Sequence, residues 1–363
     1  MWAAFPTPAP AGECAPYTFR RKWTADDTKR EKSQHFLQSA VNVPRWEHRK
    51  SKGLGHQSKW SNDASPAHGC GNLNGIVTIP LTLADWRVNE ATAIEREQLL
   101  RHEIRTLGGL VTGYSGGVDS TYLCVIAYQE LGDRARAAIA VSPSLPHREW
   151  TDAVRMAAQH GFPVDVLDTE EHLRAGYIEN SGNRCYHCKD ELFIHLRRFA
   201  ESQSIPYIAF GAIMDDIDDH RPGAVAAREH GALAPLQNAG LNKREIRFLS
   251  RKLGIDAWSK PAMACLASRV QYGIPVTPEL LSRIEEAENI IKDLGYADVR
   301  VRHHGAIARI ELGANELPTF FTNGHHAHCG NAIKALGWDF VTIDVLGYKS
   351  GSMNALLSRE EEA

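Results

Sequence analysis

The chain has 363 residues, of which 43% are hydrophobic and 23% charged, which is typical of soluble globular proteins and long enough for two domains. It contains no run near the ~18 apolar residues of a membrane span and no N-terminal apolar stretch of the secretory kind, so we expect neither membrane insertion nor secretion. Seven cysteines are too few for a disulfide scaffold, so we expect a cytoplasmic protein with free thiols.

Charge is unevenly distributed along the chain. Residues 1–75 hold 11 Lys and Arg against 6 Asp and Glu, a net charge of +5. Because the whole chain has a net charge of −3, the remaining residues carry −8. Binding to phosphate backbones normally needs clustered basic residues. The acidic body therefore argues against nucleic acid as a partner.

Residues 1–75 differ in composition from the rest. They are rich in Pro, Gly, Ser and Asn, and their apolar residues follow neither a helical nor a strand period. We predict a poorly ordered extension here and a short tail at 355–363. The alternative for the extension is a segment that docks on the body through its four tryptophans.

From residue 76 to 272 the pattern alternates between helices and strands. The predicted helices are 90–106, 119–131, 146–160 and one starting near 188, and the predicted strands are 109–114, 137–141, 163–167 and 206–210. Such alternation predicts an α/β domain with a parallel sheet, whose ligands bind at the carboxyl ends of the strands.

After residue 273 the order changes. Thr277 followed by Pro278 predicts the start of a helix that runs to 294. Strands at 299–303 and 307–312, a helix near 328–336 and a strand at 340–345 follow. We predict a small α+β domain over 273–354.

The most informative motif is Tyr114–Ser120, which reads Y-S-G-G-V-D-S and lies between a predicted strand and a predicted helix. Gly116 and Gly117 allow a tight turn whose N–H groups form an anion-binding nest, and Ser115 and Ser120 add hydroxyl donors. Asp119 suits a Mg²⁺ carried by the bound phosphate. The lysine of a Walker A loop is missing, so a γ-phosphoryl NTPase is not indicated.

This motif resembles the PP-loop ATP pyrophosphatase superfamily, whose members transfer AMP to a substrate. The resemblance implies an adenine nucleotide α-hydrolase-like parallel sheet, with ATP and Mg²⁺ as cofactors. It also implies that Ser142, at the end of the second strand, borders the nucleotide.

Further segments resemble one branch, the ATP-dependent sacrificial sulfur transferases of the LarE type. The resemblance extends in order over about residues 90–354. The segments that carry it are 142–146, 183–193, 218–223, 260–269, 299–305 and 347–354. One departure is the sequence Gly-Ala-Ile at 211–213, where the family usually has Gly-Thr-Asn. This change puts in doubt a polar contact that relatives make there.

The family resemblance implies a specific reaction. ATP adenylates a carboxylate of pyridinium-3,5-biscarboxylic acid mononucleotide, and a protein cysteine then attacks to form a thioester. When the Cβ–S bond breaks, the substrate leaves as a thiocarboxylate and the protein keeps dehydroalanine. Two rounds lead to the nickel-pincer cofactor of lactate racemase.

Cys265 is the candidate sulfur donor. Lys260, Ser268 and Arg269 are close in sequence, and a cationic neighbourhood favours the nucleophilic thiolate. Taken by itself, the sequence equally allows a buried, inert thiol. The family match favours the donor, and the single cysteine in this segment favours the sacrificial mechanism over one with an iron–sulfur cluster.

A second cysteine motif, Cys185-x-x-Cys188, lacks the two further ligands of a structural zinc site. It is compatible with a redox role or with an inert reduced pair. The neighbouring Arg184 and Lys189 could face an anionic substrate.

Arg300 and Arg302 share one face of a predicted strand, which suits the phosphate of a mononucleotide. The alternative is a solvated face with surface ion pairs. Together with Arg184, Lys189 and Arg269, they form the predicted substrate-binding set.

Two acids have unusual predicted positions. Glu288 falls on the buried side of the 278–294 helix, and Glu311 shares a strand face with Ile307 and Arg309. A buried carboxylate needs a partner, and two kinds of partner are possible here. Each acid either pairs with arginines or binds a second cation, in addition to the metal expected at Asp119. The sequence leaves both alternatives open.

Two other functions remain as alternatives. One is a different PP-loop enzyme, such as a tRNA thiolase or an amide-forming synthetase. The other is a nucleotide-binding protein without activity. Our expected partner is the small pyridinium mononucleotide, with no nucleic acid and no membrane, while the sequence leaves self-association open.

Overall fold

The structure is a computed structural model that describes residues 88–217, 222–261, 264–349 and Met353. All of them belong to one compact unit, Thr78–Ala363. The predicted extension at 1–75 and the tail at 355–363 lie outside the described residues. Over the described part of the chain, no helix combines the length and apolarity needed to cross a bilayer.

The first sheet has four parallel strands. They are β1 (Leu110–Gly113), β2 (Ala135–Val141), β3 (Val164–Asp168) and β4 (Tyr207–Ala209), arranged in the order β3-β2-β1-β4. β1 lies centrally and pairs in parallel with β2 and β4. The predicted parallel sheet is confirmed.

Helices cover both faces of this sheet. They are α1 (Glu90–Leu107), α2 (Val118–Leu131), α3 (His147–His160), α4 (Ala175–Ile178), α5 (Arg184–Ser202), α6 (Pro222–Glu229), α7 (Pro235–Asn238) and α8 (Lys243–Lys252). One core joins α1, α2, α3 and α8, while a second core places α5 and α6 against Val111 and Ile208 of the sheet. The central strands β1 and β2 are therefore largely buried on two sides, which explains their nearly continuous apolar sequences, whereas the edge strand β3 is partly exposed and carries Asp165 and Asp168.

The sequence analysis missed α8. Its start carries a reciprocal cap in which the Asn242 side chain accepts from the Glu245 amide and the Glu245 side chain accepts from the Asn242 amide. Glu245 also pairs with Arg96 at 2.8 Å. The cap was readable in the sequence Leu-Asn-Lys-Arg-Glu at 241–245.

The second sheet belongs to an α+β arrangement. Its elements are α9 (Pro278–Lys292), β5 (Val299–His304), β6 (Ile307–Leu312), α10 (Leu317–Thr322), α11 (His325–Ala335) and β7 (Phe340–Ile343). β6 lies between an antiparallel β5 and a parallel β7. Thr277 caps α9 by accepting from the Leu280 amide at 3.3 Å. The predicted fold class is confirmed.

The segment between α8 and α9 connects the two sheets. The Leu266 amide donates to the carbonyl of Ser144, just beyond β2, at 2.9 Å, and Val270 forms a β-bridge with His303 of β5. Cys265 therefore lies between the carboxyl end of the first sheet and β5. The division into domains at residues 272 and 273 remains our proposal.

Candidate active site

The loop between β1 and α2 has the conformation that an anion nest requires. Gly116 adopts φ +71°, and a Cβ there would lie 2.6 Å from the Cβ of Ala153 on α3. Only glycine satisfies both conditions without strain. Gly117 then caps α2 with an extended backbone, so the first amides of the helix stay free of side-chain caps.

Two hydroxyls hold this loop in shape. Ser115 Oγ and Ser120 Oγ lie 3.0 Å apart, and the Ser115 amide donates to Ser120 Oγ at 3.2 Å. Gly211, after β4, approaches so closely that a Cβ there would lie 3.0 Å from the Ser120 amide nitrogen. The loop is therefore preformed and closely surrounded.

Replacing Gly116 by Ala should destabilise the fold by about 2–4 kcal/mol, through left-handed backbone strain and overpacking against Ala153. Gly108 has φ +67° but no atom close to the position of a Cβ. Gly108→Ala should therefore cost only the left-handed backbone strain, about 1 kcal/mol. Gly117→Ala has neither problem, so it should lose only the better N-cap that glycine provides, about 0.5–1 kcal/mol. Urea unfolding measures all three, and equal losses would contradict the packing argument.

Asp119, in the first turn of α2, forms an ion pair with Lys243 of α8, with Nζ 2.5 Å from Oδ2. Burial raises the pKa of the Asp119 carboxyl above its ordinary value, although Lys243 opposes that rise. Among the described residues, its Oδ1 atom is buried and receives no hydrogen bond. A buried, unsatisfied carboxylate oxygen beside an anion nest fits a Mg²⁺ that arrives with phosphates.

Ser142 lies at the carboxyl end of β2, as predicted. Its hydroxyl donates to Glu171 Oε1 at 2.5 Å and accepts from the Ser144 amide at 3.2 Å. The nucleotide contact implied for Ser142 stays a prediction.

Cys265 is half-buried and precedes a short 3₁₀ turn, Leu266–Arg269. Arg269 Nη1 donates to the carbonyls of Ala264 at 2.6 Å and Cys265 at 2.9 Å, which fixes the backbone around the thiol. Burial by itself would lower the pKa of Arg269, but the charge and hydrogen bond of Glu288 outweigh it and raise the pKa. Arg269 thus lies at the Cys265 loop but is paired with Glu288. Lys260 pairs with Glu149, so the cationic neighbourhood of Cys265 stays a prediction.

The sequence analysis treated Cys185 and Cys188 as separate from Cys265, but the structure brings them together. Burial raises the pKa of Cys188 to about 12, the charge of Lys189 opposes that rise, and the neighbouring Cys265 and Cys185 add to it. Cys188 and Cys265 pack against the same core. Contacts between residues so far apart in sequence have no signal in a single chain.

Arg184 and Lys189 occupy different environments on α5. Arg184 is buried, donates to Asn180 Oδ1 and to the Ala267 carbonyl, and stacks over Tyr272. Lys189 is exposed and passes beside Gly223. The predicted contact of both with substrate remains untested.

Glu288 is buried among basic side chains. Its Oε1 atom lies 2.8 Å from Arg269 Nε, and its Oε2 atom lies 3.0 Å from Lys292 Nζ. Burial by itself would raise the pKa of Glu288, but the charges and hydrogen bonds of Arg269 and Lys292 outweigh it and lower the pKa.

A second buried group lies on the neighbouring strands. Glu311 of β6 bonds to Arg302 Nε at 3.0 Å and to Arg309 Nη2 at 2.9 Å. Arg300 stacks over Tyr348, with 4.9 Å between the guanidinium carbon and the ring centroid, and burial followed by the charge of Arg269 lowers its pKa.

For Glu288 and Glu311, the sequence left open whether they pair with arginines or bind a second cation. The observed contacts are ion pairs with basic side chains. Within the described residues, no group of three or more His, Cys, Asp or Glu side chains is placed to hold a metal ion. Glu288 and Glu311 have basic partners, whereas Asp119 Oδ1 receives no hydrogen bond from the described residues, so Asp119 stays the candidate Mg²⁺ ligand.

The lowered pKa of Glu288 predicts how stability depends on pH. A carboxyl with a depressed pKa stabilises the fold above its unfolded value of about 4.3, and this contribution is lost as the pH falls through the folded value. Glu288→Gln should cost about 3–5 kcal/mol at pH 7 and progressively less in acid. Urea unfolding at several pH values tests this, with the exposed Glu286→Gln as control. A cost for Glu288→Gln that does not change with pH would contradict the assignment.

The comparisons with known proteins agree with this geometry. The NAD synthase family matches residues 93–189, which include the loop. An uncharacterized protein of Synechocystis is 39% identical over 72% of this chain and 97% of its own length. The GMP synthase of Aeropyrum pernix is 29% identical over 50% of this chain and 39% of its own length.

A further relative identifies the family. The pyridinium-3,5-bisthiocarboxylic acid mononucleotide synthase of Lactiplantibacillus plantarum is 31% identical over 275 residues, which make up 75% of this chain and 99% of that protein. Identity at this level over nearly the whole relative, together with the PP-loop and the Cys265 segment, leaves one assignment. The chain belongs to the enzyme family of pyridinium-3,5-bisthiocarboxylic acid mononucleotide synthase, the LarE-type sulfur transferases built on a PP-loop domain.

Proposed function

We propose that this protein uses ATP and Mg²⁺ to adenylate a carboxylate of pyridinium-3,5-biscarboxylic acid mononucleotide, and that it then inserts sulfur from Cys265. The observation that carries the proposal is the hydrogen bond from the Leu266 amide to the Ser144 carbonyl. This contact supports the proposal because it holds the Cys265 loop at the carboxyl end of β2, the sheet edge at which the Ser115–Ser120 loop follows β1.

For adenylation, the proposal assigns the pyrophosphate to the nest of Ser115, Gly116, Gly117 and Ser120. Asp119 would hold Mg²⁺, which neutralises phosphate charge when bound. Lys243, already paired with Asp119, is close enough to contribute a second positive charge. Ser142 would border the nucleotide from the next strand.

For substrate binding, the proposal uses the basic side chains around β5 and β6. Several guanidinium groups lie there within the described part of the chain, and such groups suit a phosphate monoester. The basic residues are Arg269, Lys292, Arg300, Arg302 and Arg309, and the acids are Glu288, Glu311 and Asp344. Burial strengthens such an interaction because little water screens it.

Replacing Arg300 by Ala should raise the KM for the mononucleotide by about 10- to 150-fold, the equivalent of a charge-assisted hydrogen bond worth ~1.5–3 kcal/mol. The KM for ATP should change little. Initial rates with each substrate varied in turn measure this, with the exposed Arg105→Ala as control. An equal rise for both substrates would show that Arg300 supports the fold or the nucleotide instead.

For sulfur transfer, the Cys265 sulfur attacks the acyl-adenylate and AMP leaves. Removal of the Cα proton of Cys265 then breaks its Cβ–S bond, so the thiocarboxylate departs and dehydroalanine remains. The substrate thereby gains one sulfur per active site. The product is a precursor of the nickel-pincer cofactor of lactate racemase.

The packing of Cys188 and Cys265 against one core favours one alternative source of sulfur. A sulfide supplied from outside and bound beside these thiols would let the protein turn over repeatedly. In that case Cys265 would keep its own sulfur atom.

ATP–pyrophosphate exchange tests the proposed function. We expect exchange that depends on the pyridinium mononucleotide, and none that depends on tRNA or on the substrates of amide-forming synthetases. Exchange with none of these would favour a protein without activity. We further propose a cytoplasmic location, where ATP is available and thiols stay reduced.

A further inference from the structure

A buried carboxylate lies between the nucleotide site and the sulfur donor. Glu171, in the turn after β3, is 3% exposed. Its Oε1 atom accepts from Ser142 Oγ at 2.5 Å and from Ser144 Oγ at 3.0 Å. Among the described residues, no basic side chain forms an ion pair with it. The hydrogen-bond donors that the described residues offer to this buried carboxylate are thus two serine hydroxyls.

Ser144 extends this contact to Tyr177. Ser144 Oγ lies 2.5 Å from the Tyr177 hydroxyl, and both residues are buried. Because Ser144 donates its proton to Glu171, Tyr177 must donate its own to Ser144. The hydrogen bonds therefore run in one direction, from Tyr177 through Ser144 to Glu171.

Tyr177 in turn lies beside Cys265. Both side chains pack in the same core, and the residue after Cys265 is hydrogen-bonded to the Ser144 backbone. Burial raises the pKa of Tyr177, so its hydroxyl keeps a proton at neutral pH. Ser144 contacts the Tyr177 hydroxyl through its side chain and the residue after Cys265 through its carbonyl, which brings both to the same place.

We propose that Glu171 accepts, through Ser144 and Tyr177, the proton that the Cys265 thiol loses when it attacks the acyl-adenylate. The proposal rests on the proposed function, because it concerns the thioester-forming step of that reaction.

The step balances without an oxidant or reductant. The Cys265 sulfur bonds to the acyl carbon, the bond from that carbon to the AMP oxygen breaks, and its electron pair leaves with AMP. The thiol proton passes to the Tyr177 oxygen, the Tyr177 proton to Ser144, and the Ser144 proton to Glu171. Glu171 ends as a neutral carboxylic acid.

Other ionisable groups also face this site, and the test must separate them from Glu171. Those around Cys265 and Tyr177 are Arg184, Cys185, Cys188, Arg269 and Tyr272. The arginines keep their charge throughout the neutral range. We call the path from Cys265 through Tyr177 and Ser144 to Glu171 the relay. If the pH dependence of sulfur transfer changes when Glu171 is replaced and not when Glu170 is replaced, the change reports on the relay.

The experiment compares Glu171→Gln with Glu170→Gln, which alters an exposed neighbour. ATP–pyrophosphate exchange and single-turnover thiocarboxylate formation are followed from about pH 6 to 9, around the ordinary thiol pKa. For Glu171→Gln, we expect normal exchange and sulfur transfer about 100-fold slower or worse at pH 7. The rate should recover about tenfold per pH unit as the thiol ionises without help. Glu170→Gln should match the wild type.

Tyr177→Phe removes one hydroxyl and should behave in the same way, so it replaces Glu171→Gln if that variant does not fold. Sulfur transfer at the wild-type rate, or slowed by the same factor at every pH, would overturn the relay. Wild-type protein without exchange on the pyridinium mononucleotide would overturn the proposed function and the relay with it.

Discussion

Asp119→Asn should reduce adenylation by about 10²–10⁴-fold, because a bound metal ion typically contributes several kcal/mol of charge stabilisation. Asparagine keeps the size of the side chain but removes the charge that would hold Mg²⁺. It also removes the partner of Lys243. ATP–pyrophosphate exchange with saturating mononucleotide measures the effect.

The control for this variant is Asp133→Asn, an exposed acid just beyond the other end of the same helix, which should leave exchange unchanged. Raising the Mg²⁺ concentration should partly restore the rate of Asp119→Asn if the carboxylate binds the ion. Exchange at the wild-type rate in Asp119→Asn would remove this residue from the site.

Cys265→Ser should abolish thiocarboxylate formation, because the hydroxyl supplies no sulfur. Adenylation should persist, since the Ser115–Ser120 loop is unchanged. The serine oxygen can still attack the acyl-adenylate, and the product would then be an ester that stays on the protein. Liquid chromatography of the reaction and intact mass of the variant separate these outcomes.

The matched variants are Cys185→Ser and Cys188→Ser. If Cys265 supplies the sulfur, both should keep at least partial transfer in a single turnover. Loss of transfer equal to that of Cys265→Ser would instead favour a sulfide held by the three cysteines together.

Local patterns in the sequence predicted much of the fold. Thr277 and Pro278 marked the start of α9, and helical spacing correctly placed Glu288 on the buried side. Hydrophobicity alone is a weaker guide in α1, where the apolar side chain of Leu99 is 56% exposed. There Ala93 packs inward, because a small residue lets the helix approach the core closely.

The candidate site was harder to predict because its contacts are distant in sequence. Asp119 and Lys243 are 124 residues apart, and nothing in either segment signals the other. Glu171 and Tyr177 lie in a stretch whose short turns carry little periodicity. Motifs identified the phosphate loop and the sulfur donor, but the buried groups between them required the three-dimensional structure.

The most direct test of the account is the intact mass of the wild-type protein after reaction with ATP, Mg²⁺ and the pyridinium mononucleotide. If Cys265 is consumed, each chain should deliver one sulfur and stop. It should then be about 34 Da lighter, by the loss of H₂S, with the change confined to the peptide that contains Cys265. Repeated turnover by a protein of unchanged mass would contradict the account and assign the sulfur to another source beside Cys185 and Cys188.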